Sequence, residues 1–161
     1  KENELDEQMN KLNATHLASV STGIARTKSI SEQDSPLYIT RYRYGGNPNP
    51  EREFCKKMMA AKKLYRKEDI LQMSTMTVNP GFGIDGADTY SIWLFKGGPQ
   101  CFDFWSRRIY KTVIGESKTT KIEDADMIGY TKAKSEGFTA KKNDKLVATP
   151  PKKMKNNGYY N

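Results

Sequence analysis

Cys55 and Cys101 are the residues of this sequence best suited to chemistry, because a thiolate is both a nucleophile and a soft metal ligand. A zinc site takes about four nitrogen or sulfur ligands in a tetrahedral array. The chain has two Cys and one His, and that His16 lies in a polar stretch, so the inventory falls short. A cysteine nucleophile with His16 as its base meets the same objection, since nothing around His16 would hold the ring in place. Two cysteines are also too few for a disulfide scaffold. The expectation is two reduced thiols acting as small buried hydrophobes, with no catalytic residue, no metal and no cofactor assigned.

Other groups are weaker candidates. Gly81, Gly83 and Gly86 sit in a loop that resembles a phosphate cradle only superficially, because the GxxxxGK[ST] spacing is missing and turn geometry accounts for them. Asp85, Asp88 and Asp103 do not have the spacing of a calcium loop and read as solvated loop acids. Basic side chains are more prominent. Arg41, Arg43, Lys56, Lys57, Lys62 and Lys63 interleave with Tyr38, Tyr42, Tyr44 and Tyr65, a combination able to meet phosphates and stack on bases, or to form the ordinary solvated face of an amphipathic helix. Residues 141–161 carry six Lys against Asp144 alone, including Lys152, Lys153 and Lys155. With a formal net charge of +8, the partner expected is acidic, either nucleic acid or an anionic protein surface.

These groups need elements to position them. Leu37 to Tyr44 alternates, with Tyr38, Thr40, Tyr42 and Tyr44 on one side and Leu37, Ile39, Arg41 and Arg43 on the other, which predicts a half-buried strand. Gly45-Gly46-Asn47-Pro48 breaks it. Asn49 is placed as an N-cap with Pro50 at the first helical position, opening a main helix near 50–64 whose stripe is Phe54, Met58, Ala61 and Tyr65. A shorter helix is expected over Glu68 to Met73 and an ordered turn-rich loop over 79–86. Thr89 to Phe95, rich in aromatic and β-branched residues, reads as a second strand, near 88–95. Cys101 to Tyr110 reads as a short helix with Cys101, Phe104, Trp105 and Arg108 on one side. Phe54, Trp93, Phe104 and Trp105 are expected to hold this region together.

The ends differ from the middle. Hydrophobic content of 36% and a mean hydropathy of −0.80 are low for a chain compact throughout its 161 residues. Residues 1–36 open with Leu5, Met9 and Leu12 at helical spacing and continue through a Ser/Thr-rich run, while 115–161 offers only short apolar pieces such as Met127-Ile128 and Leu146-Val147. Neither end can offset the entropy of ordering by itself. The expected organisation is an extended N-terminal arm (1–36), a compact α+β domain (37–114) with a short sheet and one main amphipathic helix, and an extended Lys-rich C-terminal arm (115–161). No apolar run approaches the roughly 20 residues that cross a bilayer, and no signal-peptide pattern opens the chain, so a soluble protein assembled inside the cell is expected. Lys1 in place of Met is what a processed fragment would present.

The strings RYRYGGNPNPEREFCKKM at 41–58, LYRKEDILQMS at 64–74, NPGFGIDGADTYSIWLFKGG at 79–98 and CFDFW at 101–105 resemble, in that order, head-associated structural proteins of crAss-like and related Bacteroidetes-infecting tailed phages. A Phe-Cys on a helix followed by Gly-Gly, a second Cys and a Trp is similar, more distantly, to the C-terminal region of Mu F-type minor head proteins. Relatives often carry a polar or His/Arg residue after the second Cys. Phe102 and Asp103 stand there in this chain, so metal binding is not carried over. In some phage proteins a similar block follows a protease-like region, none of whose catalytic residues can be placed here. The resemblance covers about 41–110 and implies a non-enzymatic virion protein, an auxiliary or minor capsid protein that binds and stabilises the head lattice after assembly in the host cytoplasm. Its implied partners are the major capsid protein and other head proteins, met in many copies by symmetry, with packaged DNA as a further contact. The expected attachment residues are Arg41, Arg43, Lys56, Lys57, Lys62, Lys63, Lys152, Lys153 and Lys155. The alternatives are a basic nucleic-acid-binding protein packaged with the genome, a portal- or connector-associated head protein, and a thiol enzyme.

Overall fold

A computed structural model of the chain describes residue 4 and residues 20–99, 101–112 and 126–138. The helical spacing of Leu5, Met9 and Leu12, His16, the Leu146-Val147 piece and the tail lysines Lys152, Lys153 and Lys155 lie outside the described residues.

Tyrosines alternating with arginines from position 38 make β1 (Tyr38–Gly45), the longest extended run together with β2 (Phe104–Lys111). The two pair antiparallel from Tyr38↔Lys111 to Gly45↔Phe104, and β3 (Asp126–Ile128) adds to the far side of β2, giving a sheet of order β1-β2-β3. Between the strands of the main hairpin lie α1 (Glu53–Ala61), α2 (Lys67–Met73), a 3-10 turn (Ile84–Gly86) and the single-turn helix α3 (Ile92–Phe95); α4 (Tyr130–Ser135) follows β3. The architecture is α+β, with a small antiparallel sheet and one main amphipathic helix, as the sequence predicts. No helix among the described residues is long and apolar enough to cross a membrane.

One face of β1 and β2 carries the principal core. Tyr42, Tyr44 and Trp105 project there against Phe54 and Met58 of α1, Ile70 and Met73 of α2, and Ile92 and Trp93 of α3. The rings meet edge to face, at centroid separations of 4.9 Å for Tyr42 and Trp93, 5.2 Å for Tyr44 and Trp105, 5.6 Å for Tyr65 and Trp105, and 5.9 Å for Tyr44 and Phe54. Each such pair adds about 0.5–1.5 kcal/mol to the burial of its surface. A smaller cluster at the other end of the same face joins Tyr38 and Ile109 to Ala133 and Phe138. Phe54, Trp93 and Trp105 are buried as expected, whereas Phe104, on the opposite face of β2, is only partly covered.

Four local expectations change. Residues 88–95 are not a strand: Ser91 caps α3 by accepting from the Leu94 amide (3.2 Å), and this turn points Ile92 and Trp93 inward together. The partner of β1 is instead the segment expected to be a helix, because Cys101, Asp103, Trp105 and Ile109 are buried at alternate positions, with the partly covered Arg107 between the last two. Asn49 and Pro50 lie before the main helix, which begins at Glu53 after an extended Arg52; the side-chain oxygen of Asn47 accepts from the Asn49 amide (2.9 Å) and closes that turn. The helix also ends early, at a left-handed Lys62 (φ 49°), so Tyr65 is buried from an extended segment that exchanges both backbone hydrogen bonds with Tyr42 (2.8 Å each).

The fourth concerns the ends. Residues 20–34 are not a free extended arm: they run along this domain as an irregular segment with turns at 27–28 and 32–33, closed by the Ser29 amide on the Arg26 carbonyl (3.0 Å) and the Asp34 amide on the Ser31 carbonyl (3.0 Å). The Arg41 guanidinium reaches the carbonyls of Thr27 (2.9 Å) and Ser29 (2.8 Å) and the Asp34 carboxylate (2.7 Å), with both charged side chains almost wholly buried. Lys63 donates to Thr22 Oγ1 (2.7 Å) and the Gly23 carbonyl, Lys57 to the Val20 carbonyl (3.1 Å), Tyr65 to the Thr22 carbonyl and Arg66 to the Ile30 carbonyl. In return Asp69 accepts the Arg26 amide (2.9 Å). A polar segment with little to bury is thereby ordered by charged and hydroxyl donors. β1 is covered on its second face as a result, so it is a buried strand rather than a half-buried one.

Candidate functional site

The hairpin of β1 and β2 brings Cys55 and Cys101 to one place. Cys55 is the third residue of α1, on the turn that also buries Phe54, and Cys101 leads into β2 two positions before Asp103. Tyr44, on β1, sits under both thiols with its hydroxyl 3.2 Å from Cys55 Sγ and 3.4 Å from Cys101 Sγ. Asp103 completes the group: its Oδ2 is 3.8 Å from Cys101 Sγ, while its Oδ1 is held by the Asn47 amide at 2.8 Å. The two sulfurs and a carboxylate oxygen all lie within 4.8 Å of one another, and all three residues are buried.

Glycine makes this closeness possible. A Cβ on Gly97 would stand 2.6 Å from Cys55 Sγ and 3.2 Å from Cys101 Sγ, so any side chain there would occupy the space the sulfurs share. Arg52 fixes the same corner, donating to the carbonyls of Gly97 (2.6 Å) and Pro99 (2.5 Å). On the outer side a cavity of about 220 Å³, walled by Asn47, Pro50, Glu51, Arg52 and Phe102, opens onto Cys55, Cys101 and Asp103.

The electrostatics of the pair are asymmetric. The hydrogen bond from Cys55 is the largest influence on Cys101 and lowers its pKa to about 6, against the opposing effects of burial and of Asp103. The Cys55 thiol is pushed up, first by its hydrogen bond to Cys101 and then by burial. Burial likewise raises Tyr44 well above the ordinary phenol range, so its hydroxyl keeps its proton. Lys96, whose whole side chain is buried next to Gly97, is lowered to about 8 by desolvation, partly offset by the negative charge of Cys101 and Asp103. The pair therefore loses its first proton readily and its second with difficulty, as expected for two thiols sharing one hydrogen bond.

Of the other sequence candidates, Asp85 and Asp88 are exposed and far in character from Asp103, which joins the thiols. Gly81 and Gly86 have positive φ (87° and 81°) and the Gly83 amide donates to the Ala87 carbonyl (2.8 Å), so these glycines serve the turn. Among the expected attachment residues, Arg41 is inaccessible, and Lys57 and Lys63 are engaged with residues 20–23; Lys56 and Lys62 are exposed and Arg43 is partly so. A larger cavity of about 360 Å³, between 33–38 and 136–138, gathers no comparable set of reactive groups. Sequence reasoning placed Cys55 and Cys101 in the interior, as observed, but did not bring them together or add Asp103 and Tyr44. The available signal was the alternation Cys101, Asp103, Trp105, which opposes Tyr44 in an antiparallel pair. No protein family, curated protein or solved structure matches this chain.

Proposed function

We propose that this chain is a non-enzymatic structural protein of a tailed-phage virion, an auxiliary or minor capsid protein that binds and stabilises the head. The observation that carries the reading is the seating of residues 20–34: the domain holds a polar segment of its own chain by side-chain donors to its carbonyls, a mode of binding that needs no apolar groove. The motif strings between 41 and 105 point the same way through their resemblance to phage head proteins. Partners of this chemistry are the major capsid protein and neighbouring head proteins, met through many symmetric copies.

The same observation weighs against nucleic acid as the main partner. Arg41, Lys57 and Lys63 direct their donors to this chain's own backbone, which removes them from a phosphate-binding face. The test adds the purified full chain to nuclease-treated, DNA-free heads that lack it and counts copies per particle. Saturable attachment to such heads is the expected result. Absence of attachment, together with DNA binding that weakens steeply with salt, would replace this reading with the nucleic-acid one, and about a dozen copies per particle would move the protein to the connector.

A further inference from the structure

We infer that Cys55, Cys101 and Asp103 form a binding site for one thiophilic divalent cation of the zinc class, with the fourth coordination position facing the adjoining cavity. The donor set is two thiolates and one carboxylate, which suits zinc or cobalt and not calcium or magnesium. Two sulfurs bound to zinc at about 2.3 Å in a tetrahedron lie about 3.8 Å apart. The three donors here already stand within 4.8 Å of one another, near the spacing a bound ion would impose.

The surroundings are those a metal site requires beyond its ligands. Asp103 presents one oxygen to the sulfurs because the other is held by the Asn47 amide (2.8 Å), which orients the carboxylate. The Tyr44 hydroxyl lies within hydrogen-bond reach of both sulfurs, at 3.2 Å and 3.4 Å, with one proton to give to either, and Gly97 leaves the volume between them empty of side chain. Charge also balances. Two thiolates and a carboxylate with a divalent cation leave one negative charge, and the buried Lys96 ammonium beside Cys101 and Asp103 matches it. Burial excludes bulk water from the sulfurs, while the cavity of about 220 Å³ past Arg52 and Phe102 gives the ion a route in and room for a water or a partner's side chain as fourth ligand. The inference is independent of the proposed function, since it concerns only this chain's own donors.

The test uses the full chain, reduced, freed of metal with a chelator and titrated with cobalt(II), then with zinc in competition. One equivalent of cobalt is expected to produce a thiolate-to-metal absorption band that zinc abolishes, and bound zinc is expected to slow alkylation of both cysteines. Asp103→Asn keeps the Oδ1 acceptor and the shape of the site, so it should fold. It should weaken zinc binding by at least the ~10–100-fold that loss of even an outer-sphere partner costs. Cys55→Ser should remove the band; if that variant fails to fold, Asp103→Asn carries the test. Three results would overturn the inference: no thiolate band with alkylation unaffected by zinc, unchanged zinc affinity in Asp103→Asn, or isolation of the chain under anaerobic conditions with Cys55 and Cys101 bridged.

Discussion

Replacing Arg41 by Ala separates an internal strut from a partner-binding residue. The guanidinium makes hydrogen bonds to the carbonyls of Thr27, Ser29 and Thr40 and an ion pair with Asp34 at 2.7 Å, and both side chains of that pair are less than 5% exposed: 3% for Arg41 and 4% for Asp34. Truncation leaves the Asp34 carboxylate buried with only the amides of Ser31 (3.1 Å) and Thr40 (3.0 Å). Breaking a buried pair from one side costs about 3–5 kcal/mol, the remaining charge being the main expense. Against a total stability of about 5–15 kcal/mol, that removes a large share of the margin. With a urea slope of about 2 kcal/mol/M, the midpoint should fall by ~2 M, and the amides of 27–34 should lose exchange protection before the sheet does. Arg41→Lys should fall between, because one ammonium cannot span four acceptors held in different directions. A midpoint shift below ~0.5 M with unchanged protection would refute the reasoning. Normal stability with lost attachment to heads would return Arg41 to the partner-binding surface.

Lys63→Ala should expose the amides of 20–23 to faster exchange while changing global stability by only about 1 kcal/mol, since the Thr22 and Gly23 acceptors can turn to water; hydrogen exchange read by mass spectrometry checks this. Gly46→Ala should lower the melting temperature more than a surface change does, because φ is 135° there and the added Cβ would meet the Asp103 backbone at 2.7 Å, costing about 1–3 kcal/mol. In reduced, metal-free protein the unfolding free energy should rise with pH. Cys101 is lowered from 9.0 to about 6, so the unfolded chain holds more protons between those values, and its contribution is present above pH 9 and lost as pH falls through 6. Lys96, lowered from 10.5 to about 8, acts with the same sign between pH 8 and 10.5. Urea melts from pH 6 to 9 should show this slope, and Lys96→Met should flatten its upper part; above pH 9 the raised Cys55 thiol acts with the opposite sign, so a falling stability between pH 6 and 9 is the result that would contradict the Cys101 shift.

What was legible in the sequence was set by local periodicity. Tyr38, Tyr42 and Tyr44 alternate cleanly, and Phe54 with Met58 fixes the inner side of α1, so those elements could be read from the chain alone. The segments 89–95 and 101–110 could be read either way, because aromatic residues suit both a strand and a buried helical turn. Ser91 as a cap decided the first, and pairing with β1 decided the second. The entropy argument for polar ends was sound in principle. It left out that a domain rich in arginine and lysine can hold a polar segment through its carbonyls, which is how residues 20–34 are ordered without burying much apolar surface.

The thiol site failed to appear in the sequence for a related reason. Counting only Cys and His leaves three candidates, one of them in a polar stretch, and the carboxylate that completes the group was grouped with Asp85 and Asp88 because it is nearer them in type than in space. Cys55 and Cys101 meet only because β2 runs back along β1, placing Trp105 opposite Tyr44 and so bringing the residues just ahead of Trp105 over the Tyr44 ring. Register decides the chemistry here. A slip of one residue would turn Asp103 and Trp105 to the opposite face and leave Tyr44 and Cys55 without their partners, so the burial of Trp105, among the largest side chains with no exposed surface, is what holds two sulfurs and a carboxylate together.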